Sequence, residues 1–326
     1  MKKGLFSLLL LVVFSLNVSA QQIRIGTIAP AGSLWETTIR EIAAEWTRIS
    51  NGKITVRIFT GGTVGTEENI IRRMRLGTLD AAALTPYGTK TIADDLFVLS
   101  TPMLIKDDNE LHFILKKMEP TFNRILKENG YITLGWTNTG WVRWFSRTRV
   151  LFPDDLKRIK LAVDTNDQKA IQIWQRSGFR VIPLSFNDLI SGINQGMVDA
   201  VYLTAYAASA AGIMRHTPYM LDMPISPIYG LLTISEKAWD RIDDRYKPEI
   251  MRRTSEIIDR FYNEIIKVEN EAMSQRGLIV TKVTPDALAQ WEEIVGSAAE
   301  QYARQTFSPE IYAEVRRYID EYRRNR

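Results

Sequence analysis

The chain of 326 residues has no cysteine and only two histidines, His112 and His216. The first absence excludes disulfides, thiolate metal ligands, a Cys nucleophile and a lipid-bearing N-terminal Cys. The two histidines stand in separate segments without ligand spacing, so no metal site is expected. His112 reads as part of a helix and His216 as part of a loop. There is no G-x-S-x-G signature, no catalytic residue can be singled out, and no cofactor is called for. From Gln21 onward no apolar run approaches the ~20 residues needed to span a bilayer. Excess charge is lacking too: without Lys2 and Lys3, 40 basic residues face 38 acidic ones. A nucleic-acid partner therefore has no support in composition.

The first twenty residues are of a different kind. Lys2 and Lys3 precede an uncharged stretch from Gly4 to Val18, and Val18-Ser19-Ala20 offers small residues before Gln21. This is the layout of a cleavable secretory signal, with cleavage after Ala20. A transmembrane anchor is the competing reading, but a run of roughly fifteen residues is short for that role. An exported, cysteine-free chain fits a periplasmic location. The mature chain, about 306 residues, has room for two domains of ordinary size.

Short β-type stretches then alternate with helix-length segments. "IRIGTI", "KITVRIF", "LDAAALT", "YITLGWT", "IKLAVD", "RVIPL", "MVDAVYLT", "YGLLTI" and "LIVTKV" read as strands, which gives an α/β fold with helices on both faces of the sheets. "GTLDAAALTPY" at 77–87 and "GMVDAVYLTAY" at 196–206 echo each other at identical offsets. Each follows a helix-like segment, with Gly as the stop. The echo predicts two related α/β halves whose strand ends, Thr85-Pro86-Tyr87 and Thr204-Ala205-Tyr206, face one another across a cleft. Chance likeness between two βα units is the alternative. The matched Asp80 and Asp199 suggest a paired-carboxylate hydrolase or, more simply, strand-start residues bonded to neighbouring backbone.

"APAGS" and "GGTVG" lack the Lys-Ser/Thr of a P-loop and the spacing of a dinucleotide fingerprint, so loop and helix-cap duty is expected. From Pro248 to Gly277 a helical stripe of apolar residues runs without a breaker for ~43 Å, long enough to bridge two halves or to form a coiled coil. "GWTNTGWVRWF" concentrates three Trp and a Phe beside a single arginine, Arg143. Such a cluster builds either a core or the wall of a pocket between domains.

Together, "NGKITVRIFTGGTVGTEENIIRRMRLGTLDAAAL", "TPMLIKDDNELHFIL", "FPDDLKRIKLAV" and "SGFRVIPLSFNDLISGINQGMVDA" resemble the DctP-type solute-binding proteins of TRAP transporters. The resemblance implies a periplasmic binding protein fold: two α/β lobes around a ligand cleft, with a long helix, about 248–276, shared by both. Lobe I would comprise 21–140 plus about 230–262, and lobe II 141–229 plus about 263–326. It also implies lobe closure on a ligand and delivery to TRAP membrane permease subunits, with no enzymatic activity.

The departures from the family pattern concern its ligand contacts. Where members carry an arginine for the substrate carboxylate, this strand reads Lys160-Leu161-Ala162-Val163. Where a polar Gln-Glu-Asn run is usual, it reads Val201-Tyr202-Leu203. Arg143 resembles another ligand-facing arginine of the family, although the loop that follows is about two residues short. Charge-assisted hydrogen bonds contribute ~1.5–3 kcal/mol each, so their loss predicts a hydrophobic or amphipathic, lipid-like or aromatic ligand. The expected ligand set is Thr85, Tyr87, Trp141, Arg143, Ala162, Phe186, Tyr202, Leu203 and Tyr206. The same departures resemble a subgroup that works beside a periplasmic tetratricopeptide-repeat protein, which would add a helical-repeat partner. A carboxylate receptor anchored by Arg143 and a periplasmic enzyme on this fold are the competing readings.

Overall fold

The computed structural model describes residues 21–165 and 167–326, with residues 186 and 187 described by their backbone alone. The secretory-signal reading of residues 1–20 lies outside the described residues.

Among the described residues nine strands form one mixed sheet: β1 (Gln21–Thr27), β2 (Ile54–Phe59), β3 (Ala81–Leu84), β4 (Tyr131–Ser146), β5 (Lys160–Asp164), β6 (Arg180–Leu184), β7 (Ala200–Thr204), β8 (Tyr219–Ser235) and β9 (Ile279–Lys282). Their order is β2-β1-β3-β8-β4-β7-β5-β6, with β9 pairing to the start of β8. The short strands on each flank pair in parallel, β1 with β2 and β3, and β5 with β6 and β7. Between the flanks run two long antiparallel strands, β4 and β8, of 16 and 17 residues. They pass from one half of the molecule to the other, and their pairing shifts register between Thr133 and Gly135, Asn138 and Trp141, and Val142 and Trp144. Such bulges bend and twist a strand, which lets one pair of strands serve two differently oriented lobes.

The echo between 77–87 and 196–206 has a physical basis. Asp80 Oδ2 accepts the backbone N–H of Arg24 at 2.9 Å, and Asp199 Oδ2 accepts that of Lys160 at 3.0 Å. Each aspartate thus fixes the start of its strand against the parallel neighbour. Gly77 and Gly196, with φ of 70° and 69°, supply the left-handed stop after the preceding helix,.

The long helix is continuous from Lys247 to Met273, about 40 Å at 1.5 Å per residue,. It runs from one half of the molecule to the other. Near its start Thr254 Oγ1 accepts the indole N–H of Trp46 at 2.9 Å, and toward its end Glu269 Oε2 accepts the backbone N–H of Ala205 at 3.0 Å. Gly140 in β4 has φ +115°, and a Cβ there would collide with the Glu269 carboxylate. The helix can therefore lie directly against the bulged strand.

Candidate functional site

Strand alternation sets the walls of the site. In β4, Val142 and Trp144 face one side and Phe145 the other; in β7, Tyr202 shares the side of Trp144, while Val201 and Leu203 face away,. Leu161 and Val163 of β5 join the Trp144 side, and Ala162 between them joins the opposite one. On the first side Trp144 meets its cross-strand partner Tyr202 edge-on, with centroids 5.5 Å apart, and Trp174 at 5.8 Å.

The halves touch through side chains from both. Tyr87, in the first turn of helix Pro86–Ile92, brings its hydroxyl to 3.4 Å from that of Tyr202. Lys90 on the same helix donates to Asp167 Oδ2 at 2.8 Å and to the Tyr302 hydroxyl at 2.6 Å, and Tyr302 donates in turn to Asp167 at 3.0 Å. Asp167 also caps helix Gln168–Arg176 through the Ala170 N–H. Farther out, the Tyr206 hydroxyl accepts the Leu34 N–H at 2.9 Å, and its ring stands edge-on to Trp35.

Two cavities lie at this junction, and Tyr87 and Asp167 line both. The inner one, about 60 Å³, is walled by Phe97, Trp144, Ile173, Trp174, Tyr202, Ile225, Ile228 and Tyr302 among others. The outer one, about 380 Å³, is polar and acidic: Glu67, Glu68, Asp94, Asp164 and Asp167 line it together with Lys90. Glu67 is buried, which pushes its carboxyl up to about 7, against the opposing effect of hydrogen bonds from Thr85 and Gly88. Its two oxygens accept the Thr85 N–H and hydroxyl, each at 2.6 Å. Burial likewise raises the phenols of Tyr87, Tyr202 and Tyr302 above their ordinary range, so they act as neutral hydrogen-bonding groups.

The nine residues expected from the sequence divide accordingly. Tyr87 and Tyr202 meet at the cavities, Thr85 holds Glu67 in the cavity wall, and Tyr206 ties the halves together. Trp141 is buried, donating to Asp108 Oδ1 at 2.7 Å, and lines neither cavity. Arg143 lies beside Asp222, 3.5 Å from Nε to Oδ1, and lines neither cavity. Ala162 is 5% exposed and packs in a core with Phe145, Leu189, Ile193 and Val201; half-buried Leu203 leans on the same core. The side chain of Phe186 lies outside the described residues; its backbone opens helix Phe186–Asn194. The tryptophan-rich segment is split: Trp136 bonds to Asn123, Trp141 is core, and Trp144 walls the inner cavity. Sequence reasoning did not find Glu67, Lys90, Asp167, Trp174 or Tyr302. They come from distant segments, and no local motif marks them.

Comparison with known proteins places these features in context. The model of the DctP family, described as bacterial extracellular solute-binding protein, family 7, matches residues 25–305. A solute-binding protein of Roseobacter denitrificans is 20% identical over 306 residues, covering 91% of this chain and 89% of its own. One from Chromohalobacter salexigens is 20% identical over 223 residues, 68% of this chain and 65% of that protein, so this alignment spans just under two thirds of the relative. Among solved structures, a TRAP periplasmic solute binding protein from Sulfitobacter with bound β-D-galacturonate superposes with a TM-score of 0.83 at 18% identity, covering 92% of this chain and 100% of that one. The sugar acid binding protein DctPAm of Advenella mimigardefordensis, in complex with galactonate, gives 0.84 at 18% identity, covering 93% and 98%. These structural likenesses establish the fold. Among the described residues no helix is long and apolar enough to cross a membrane.

Proposed function

The chain belongs to the DctP family of bacterial extracellular solute-binding proteins, and from that premise we propose that it is the periplasmic receptor of a TRAP transporter, capturing an apolar or amphipathic solute by lobe closure for delivery to the membrane permease. The inner cavity carries this reading. Its wall is built of aromatic and aliphatic side chains from both halves, and burying ligand hydrocarbon there contributes ~25 cal/mol per Å²,. Two similar structures hold carboxylated sugars. The outer cavity here is a poor host for such a group: Glu68, Asp94, Asp164 and Asp167 line it beside Glu67, whose carboxyl burial raises to about 7, and Lys90 is already engaged by Asp167 and Tyr302. At 4 Å and an effective dielectric near 20, two like charges repel by about 4 kcal/mol. No arginine lines either cavity among the described residues.

The test is mass spectrometry of an organic extract of the purified, denatured protein, coupled to calorimetry with β-D-galacturonate. A stoichiometric apolar molecule and no heat from galacturonate are the expected results. Micromolar galacturonate binding that disappears in Arg143→Ala would replace this reading with that of an arginine-anchored carboxylate receptor.

A further inference from the structure

The outer cavity carries more negative charge than its own cations balance. Glu68, Asp94, Asp164 and Asp167 line it beside Glu67, and Lys90 is the one basic side chain among the described lining residues. Lys90 is committed: its ammonium donates to Asp167 at 2.8 Å and to the Tyr302 hydroxyl at 2.6 Å. Just outside, the Lys169 ammonium stands 3.6 Å from Asp94, but these side chains are 43% and 46% exposed, and an ion pair in water contributes little,. Glu68 is exposed and has no cation partner among the described residues, and Asp164 is half-buried at the end of β5.

A second observation shows what kind of cation this junction accepts. The Lys90 Nζ lies 5.3 Å from the centroid of the Phe97 ring and 5.2 Å from that of Tyr302, besides its bond to Asp167. The chain thus seats one alkylammonium of its own between ring faces and a carboxylate, the arrangement by which proteins hold organic cations. Phe97 and Tyr302 wall the inner cavity, and Tyr87 and Asp167 line both cavities. A metal ion fits less well: among the described residues no group of three or more carboxylates or histidines is placed to hold one. Carboxylates spread around about 380 Å³ suit a larger and more diffuse charge.

We propose that the ligand is an amphipathic organic cation, with its ammonium group in the outer cavity among Glu68, Asp94 and Asp164 and its hydrocarbon end directed to the ring-lined inner cavity. This rests on the reading of an apolar or amphipathic solute above and names the chemistry of the polar end. Glu68 and Asp94 belong to the first half and Asp164 to the second. Bringing them together without a cation is opposed by like-charge repulsion, and a bound ammonium removes that opposition. The ligand therefore favours the closed arrangement over the open one, as capture by lobe closure requires.

The probes are n-hexylammonium, 1-hexanol and hexanoate, which share one hydrocarbon chain and differ in charge, titrated into the mature protein by calorimetry. At about pH 7.5 the amine keeps its proton, as a lysine does. The ammonium is expected to bind at least about tenfold more tightly than the alcohol, the gain of one charge-assisted contact, and hexanoate the most weakly. Added salt should weaken the ammonium and leave the alcohol unaffected. Asp164→Asn should narrow the gap between ammonium and alcohol, and an unchanged gap in the folded variant would overturn the placement of the charge in this cavity. The ranking on the unaltered protein decides the matter even if that variant folds poorly. Equal affinities for ammonium and alcohol would overturn this inference and leave the apolar reading standing. Hexanoate binding most tightly would overturn both in favour of a carboxylate receptor. If none of the three binds, both readings fall.

Discussion

Glu269 sits near the end of the bridging helix, where it meets β4 and the segment after β7, and it lends itself to a quantitative test. It is 6% exposed; Oε2 accepts the Ala205 N–H, while Oε1 is buried without a partner. Burial pushes its carboxyl from 4.5 up to about 7, against the opposing effects of Thr204, Tyr206 and the charge of Arg143. Between those two values the folded protein holds a proton that the unfolded chain has released. Stability therefore falls as pH rises from 4.5 to about 7 and is level above that,. A displacement of this size corresponds to about 3 kcal/mol. Glu67, also raised to about 7 by burial, has the same sign and window. Carboxylates held low act in a separate window: Glu45, brought to about 2 chiefly by Arg48 and Arg253, contributes stability that is lost as pH falls below 4.5,. The stability maximum should thus lie near pH 5, at the boundary of the two windows. Glu269→Gln cannot ionise. Guanidinium unfolding at about pH 5 and about pH 8, with equal m-values, should show the variant losing about 3 kcal/mol less than the parent across that interval. A parent and variant with the same pH dependence would refute the assignment of a neutral buried carboxyl to Glu269.

Two further substitutions probe the junction and the second-half core. Lys90→Met leaves Asp167, 7% exposed in its side chain, without its cation; breaking a buried pair from one side costs about 3–5 kcal/mol, reduced here by the Tyr302 and Ala170 donors that remain,. Because the pair links the halves, small-angle scattering should report a larger ligand-free radius; an unchanged profile would show that the pair does not hold the halves together. Ala162→Arg forces a guanidinium among Phe145, Leu189 and Val201, where overpacking alone costs about 1–3 kcal/mol,. Its urea midpoint should fall with no gain in galacturonate binding, and a stable variant that binds galacturonate would put Ala162 back in the ligand wall.

Much of the fold was legible because local chemistry specified it. The echo at 77–87 and 196–206 marked two strands that start in the same way, each on an aspartate bound to its neighbour's backbone, and the unbroken apolar stripe marked the bridging helix. The two long strands were read short. "YITLGWT" and "YGLLTI" each cover less than half of β4 and β8, because Gly135, Asn138 and Gly140 in the one, and Pro224 and Pro227 in the other, interrupt the alternation that identifies a strand,. Those interruptions fall where the strands bulge and cross between lobes, so the features that hid the strands are the ones that join the halves.

The site was legible only in part, for a related reason. A resemblance locates a residue along a strand, but its chemistry depends on which face that residue takes and on what packs over it. Arg143, Ala162 and Leu203 were grouped because they depart from, or resemble, one family's ligand contacts. The structure sends Arg143 to Asp222 and Ala162 and Leu203 to a core, on the opposite side of the sheet from the inner cavity. Trp144 and Tyr202, each one residue away from members of that group, form the cavity wall instead. Lys90, Asp167 and Tyr302 converge from three segments with no shared pattern, and only the folded junction shows them to be one unit. The proposal of an apolar ligand therefore rests on the ring-lined wall rather than on a missing arginine. The two arguments are independent: the cavity wall would remain aromatic even if Ala162 were shown to be no more than a packing residue.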